Sequence, residues 1–190
     1  MLNTRAEADL AFVRDVMERS TRFTAVPGWG GIGMGVTAVA AAALAWQQPS
    51  HERWLAVWLG EAVVAATIGV VAMVRKARRT SLPMLAAPAR RFAFGLVPPL
   101  IVGAALTVGC VQGNAWALLA PVWLCCFGVA ILGGSAVSSA PILRALGVAF
   151  VVVGVVAVGT PERWSDVWMA LAFGGGHLVT GFVVVRQHGG

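Results

Sequence analysis

Long apolar runs alternate with short polar clusters along the whole chain. Six runs stand out, at about 30–47, 54–74, 92–112, 115–133, 141–159 and 164–185. A helix rises about 1.5 Å per residue, so roughly 20 mostly apolar residues cross a hydrocarbon layer about 30 Å thick. One such run fits the buried helix of a soluble core, but six do not. The expected fold is all-α: an integral membrane bundle of six transmembrane helices over 29–190, preceded by an amphipathic helix and turn over 1–28.

That leading segment follows a different pattern. Ala6, Leu10, Val13 and Met17 recur at helical spacing and form one apolar stripe. Thr4 and Glu7 are spaced as a capping box, and Asp15–Arg19 and Glu18–Arg22 are pairs with the acid on the N-terminal side. Pro27-Gly28 then signals a turn. Four acidic and four basic side chains over 4–22 leave no net charge to hold an anionic lipid surface. The stripe therefore suits packing on the bundle, on a second copy or on a partner helix, and Leu10, Val13 and Met17 are the candidate partner-binding face.

Within the runs, Pro98-Pro99 is expected to kink the third helix near Phe94 and Gly95, and Pro121 to bend the fourth. Trp29, Trp46, Trp54, Trp116 and Trp164 fall near predicted helix ends, where an amphipathic ring suits the headgroup region.

Composition agrees with a bilayer environment. Of the 190 residues 58% are hydrophobic and 12% charged, and the mean hydropathy is +0.81. Soluble domains average about 25% charged residues. The net charge of +6 points to sidedness, not to nucleic acid. Twelve of the fourteen Lys and Arg residues fall on one side: Arg5, Arg14, Arg19 and Arg22, the six basic residues of 75–91, Arg144 and Arg186. Only Arg53 and Arg163 fall on the other. The positive-inside rule then puts both termini in the cytoplasm, in a multi-pass protein of the inner (cytoplasmic) membrane. The basic 75–91 connection could hold anionic lipid or an acidic cytosolic partner, but the positive-inside rule already accounts for it and is the favoured reading. No apolar segment precedes a small-residue cleavage site in the first twenty residues, so the first span is expected to direct its own insertion.

Glu52-Arg53-Trp54-x-x-Val57-Trp58 recurs 110 residues later as Glu162-Arg163-Trp164-x-x-Val167-Trp168. Each copy opens a span entering from the outer side, so the repeating unit is a helical hairpin, with 92–133 as a diverged middle copy. Three hairpins in parallel orientation result. Arg-Trp pairs as ordinary interfacial anchors are the competing explanation.

Candidate chemistry is sparse. Glu61 is the only acidic residue well inside a span, about 10 Å along its helix from Trp54. Intramembrane carboxylates serve as proton relays, ion sites or substrate contacts, or simply face a neighbouring helix, protonated or paired with Arg53 or Arg163. His177 follows Gly174-Gly175-Gly176 in the sixth run. It is a candidate for a structural hydrogen bond, a proton or solute site, or, as the weakest alternative, a haem ligand, since haem and metals need further ligands. Glu61 and His177 differ in depth by about 9 Å, against the roughly 3.2 Å of a direct hydrogen bond. Thr67 lies level with His177 by the repeat offset and is the expected direct partner. Glu61, Thr67 and His177 form the candidate intramembrane polar site.

Other motifs carry less. Gly28-x-Gly30-x-x-Gly33 matches a dinucleotide fingerprint but lacks the preceding strand, so Gly31-x-x-x-Gly35 reads as close helix packing. Cys110, Cys125 and Cys126 have neither disulfide nor metal spacing, and Cys125-Cys126 suits packing. Ser135, Ser138 and Ser139 lack a nearby acid–base pair, so no catalytic residue, cofactor or metal is expected. Two functions remain: a non-catalytic structural, sensory or regulatory membrane component acting through protein contacts, possessing a possible homo-oligomeric form, or a small translocator of protons or solute using Glu61 and His177.

Overall fold

The computed structural model describes residues 27–79, 87–136 and 141–188. The N-terminal amphipathic helix, with Leu10, Val13 and Met17, lies outside the described residues, as do Ser138 and Ser139. Every regular element among the described residues is a helix. They are α1 (Gly28–Ala45), α2 (His51–Arg79), α3 (Ala87–Gln112), α4 (Leu119–Ser135), α5 (Ile142–Val158), α6 (Ser165–Met169) and α7 (His177–His188). One 3-10 turn, Trp116–Leu118, leads into α4 and another, Glu162–Trp164, into α6; a π-helix, Ala170–Gly176, joins α6 to α7.

Five helical stretches are long and apolar enough to cross a membrane: Gly28–Ala45, His51–Lys76, Ala89–Gln112, Trp116–Ser135 and Glu162–Gln187. This is the make-up of a multi-pass membrane protein. α5 has 17 residues and is apolar throughout except for Arg144. At the helical rise it extends about 25 Å, the lower limit for a span.

Local chemistry explains the element ends. Glu52 occupies the first turn of α2, and Arg75, Lys76 and Arg78 lie toward its C-terminal end, each sign at the helix end whose dipole it complements. Asn114 closes α3 with a positive φ of 54°, a conformation that asparagine tolerates better than most residues. Its carboxamide oxygen accepts the indole N–H of Trp116 at 2.7 Å.

Helix neighbours follow one order, α2–α1–(α6, π-helix, α7)–α5–α4–α3. α1 neighbours α2, and α3 neighbours α4. The third pair is less intimate: α5 lies chiefly on α4, and the last helical run chiefly on α1. Glycine decides these contacts. A Cβ at Gly35 would stand 2.8 Å from the Gly174 carbonyl oxygen, and one at Gly181 would stand 2.6 Å from the Ile32 nitrogen. Backbones approach there as only glycine permits, which confirms the close-packing reading of Gly31-x-x-x-Gly35. Gly95 against Gly133 and Gly128 against Val151 do the same for α3–α4 and α4–α5. Gly154 packs on Cys125, so that thiol is a packing group.

α3 is helical throughout, with Pro98 and Pro99 inside it. Pro121 is the third residue of α4, in its first turn, where a proline's missing N–H costs no intrahelical bond. One expectation is corrected. The sixth run is not one regular helix but changes to π geometry at Ala170–Gly176, where three successive glycines leave the backbone least constrained.

Candidate functional site

Polar side chains gather in three places. The first is the bundle end that carries Trp54, Trp58, Trp116 and Trp168. The N–H groups of Trp54 and Trp58, one turn apart on α2, both donate to Asp166 Oδ1, at 2.7 and 3.1 Å. The first repeat copy thus grips the second, at the position where the second has Asp166 and the first Ala56. His51 Nε2 lies 2.8 Å from Glu162 Oε1, and the His51 ring stacks on Trp116 at 5.1 Å and 11°. His51 therefore touches residues of the other two connections at that end. Trp168 donates to Thr160 Oγ1 at 2.9 Å.

The second place is midway along α1 and α2. Glu61 Oε1 stands 2.8 Å from Thr37 Oγ1. Its partner is thus neither Arg53 nor Arg163. Thr37 also has the carbonyl oxygens of Gly33 and Met34 at 3.2 and 3.1 Å. The pairing was legible in principle: Thr37 and Glu61 each lie twelve residues from Pro49, so a simple antiparallel hairpin sets them level.

The third place surrounds His177, which is buried at 7% exposure. Its Nδ1 donates to the Phe173 carbonyl at 2.9 Å. A carbonyl only accepts, so the proton sits on Nδ1 and Nε2 keeps its lone pair. The ring lies parallel to Phe173 (6.2 Å, 5°), edge-on to Phe150 (5.7 Å) and tilted against Phe127 (5.5 Å). Those three phenyl rings also contact one another at 4.8–4.9 Å between centroids. His177 thus belongs to an aromatic core. Among the described residues no group of three His, Cys, Asp or Glu side chains is placed to hold a metal ion.

The expected site is therefore not assembled as one. Thr67 is exposed, and its hydroxyl donates to the Val63 carbonyl of its own helix at 2.7 Å, not to His177. The repeat offset matched its depth but not its direction, because α1 lies between α2 and the helix that carries His177. Glu61 bonds Thr37 and His177 bonds Phe173, with no hydrogen bond joining the two. Thr37, Asp166 and the three phenylalanines are the residues that sequence reasoning missed.

No known protein family, curated protein or solved structure matches the chain.

Proposed function

We propose that the protein is a non-catalytic, six-span component of the inner (cytoplasmic) membrane, with both termini in the cytoplasm, that works as a structural, sensory or regulatory element through contacts with other proteins. The observation that carries this reading is the local satisfaction of the polar side chains. Glu61 is matched by Thr37, His177 by its own backbone, and Asp166 by two indoles. Thr67 faces away, so Glu61, Thr67 and His177 do not line a common polar path. Meanwhile α2 and α3 leave Val63, Val64, Val70, Phe94, Ile101 and Val102 exposed, surface available to lipid or to another helix. The six-span, termini-inside arrangement is supported by the twelve-to-two division of basic residues.

Native mass spectrometry of the protein extracted gently from its own membranes tests the reading. A stoichiometric protein partner is expected, lost when Leu10 or Val13 becomes Asp and retained in Glu61→Gln. A chain without partners, together with proton or solute flux in liposomes that Glu61→Gln abolishes, would overturn it in favour of a translocator. Impermeant maleimide labelling of single cysteines at positions 48 and 188, in a cysteine-free background, tests the topology. Position 48 should label in intact cells and position 188 only after lysis.

A further inference from the structure

Three threonines sit at the joint between the two helices of successive helix pairs. Thr107 on α3 donates its hydroxyl proton to the Gly103 carbonyl at 2.8 Å and accepts the Trp123 indole N–H of α4 at 2.9 Å. Thr160, just past α5, donates to the Ala157 carbonyl at 2.9 Å and accepts the Trp168 indole N–H of α6 at 2.9 Å. These roles are fixed, because an indole nitrogen only donates. The threonine must accept across the joint and send its single proton to its own backbone.

Thr37 on α1 repeats the arrangement. The Gly33 and Met34 carbonyls lie behind its hydroxyl, and the group across the joint on α2 is the carboxyl of Glu61. A carboxyl can fill the donor's place only when it carries a proton. Among the described residues its surroundings supply no counter-ion. α1 has no charged residue between Gly28 and Ala45, and α2 packs on no other helix as it does on α1. On α2 itself the nearest charges are Arg53 and Arg75, eight and fourteen residues away. A buried or lipid-facing ionised carboxylate calls for a paired cation, whereas a neutral acid calls only for an acceptor, and Thr37 is one.

We propose that Glu61 and Thr37 form a proton-binding site within the membrane, in which Glu61 rests as the neutral acid donating to Thr37 and exchanges that proton with water. On release the carboxyl O–H bond breaks, the electron pair stays on the carboxylate, and the proton passes to a water molecule. Thr37 then turns its hydroxyl proton from the backbone carbonyl to Glu61 Oε1, 2.8 Å away. One hydroxyl rotation serves both states without moving a helix. The site requires no path to His177 and stands whether or not the protein has a protein partner.

Infrared spectroscopy of the full chain in lipid nanodiscs tests the proposal. At neutral pH the difference between wild type and Glu61→Gln is expected to show one protonated-carboxyl C=O band. The band should shift in D2O, and Thr37→Val, which removes the acceptor, should move it to higher frequency. Incorporation of carboxyl-labelled 13C-glutamate assigns the band to glutamate in wild type even if the glutamine variant fails to fold. A difference confined to carboxylate stretches, a band indifferent to D2O, or a band indifferent to Thr37→Val would each overturn the proposal.

Discussion

Trp54 and Asp166 are 112 residues apart in the chain, yet the indole N–H of one lies 2.7 Å from the carboxylate oxygen of the other. Trp58 donates to the same oxygen at 3.1 Å and is itself buried at 7% exposure. A single carboxylate oxygen therefore holds α2 to the start of the last helical run. It is a direct polar link between the two copies of the repeat.

Replacing Asp166 by Leu strands two indole donors in a largely apolar setting. An unsatisfied buried donor costs about 1–3 kcal/mol, and of the two indoles Trp58 is the buried one, so Asp166→Leu should destabilise the fold by about 1–3 kcal/mol. Asp166→Asn keeps a carbonyl oxygen in place and should lose less than half as much. Unfolding by SDS in mixed micelles, followed by circular dichroism, measures both. Equal losses would mean that the charge, not the acceptor, matters.

Glycine substitutions should divide according to the space at each site. A Cβ at Gly181 meets the Ile32 nitrogen at 2.6 Å and the Gly28 carbonyl at 2.7 Å, and backbone atoms cannot swing aside. Overpacking of this kind costs about 1–3 kcal/mol, and Gly181→Ala is expected at the upper end. A Cβ at Gly60, inside α2, meets nothing within 4 Å. Gly60→Ala should raise stability by about 0.5–1 kcal/mol through helix propensity alone. The same SDS titration separates the two signs.

Thr67 provides a control. It is exposed and bonds only its own helix, and substitutions at such positions usually stay within about 0.5 kcal/mol. Thr67→Val should leave both stability and the infrared band of Glu61 unchanged, in contrast to Thr37→Val. A change of the band in Thr67→Val would restore the partnership inferred from the repeat.

How far the sequence carried the structure depended on the kind of information required. Hydrophobic periodicity reported burial along one dimension, so helices such as α1 and α5 were placed to within two or three residues. The repeated motif includes Trp54 and Trp58. It could not show that their partner was Asp166, because a contact across 112 residues depends on how hairpins pack, and one chain contains no record of that. Depth was legible where direction was not. Thr67 and His177 were matched in height, but the rotation of α2 about its axis turns Thr67 outward and Glu61 toward Thr37. The π segment was hidden for a related reason. Three glycines permit it without requiring it, and the packing around His177 decides.

The last prediction concerns that packing. His177 fills the space among Phe127, Phe150 and Phe173, and its Nδ1–H caps the Phe173 carbonyl within the π segment. Truncation to Ala loses both contributions and leaves a cavity that closely packed rings cannot refill. Large-to-small changes of aromatic core residues cost about 3–5 kcal/mol, so His177→Ala should fall near 3 kcal/mol. His177→Phe keeps the ring and forfeits one hydrogen bond, a loss of about 1 kcal/mol. If His177 serves only the core, His177→Phe retains whatever function the protein performs in its membrane, at slightly lower stability. Loss of function in His177→Phe with the fold intact, by circular dichroism and SDS titration, would instead assign the Nε2 lone pair a role beyond packing. The two variants together distinguish a ring needed for its shape from one needed for its nitrogen.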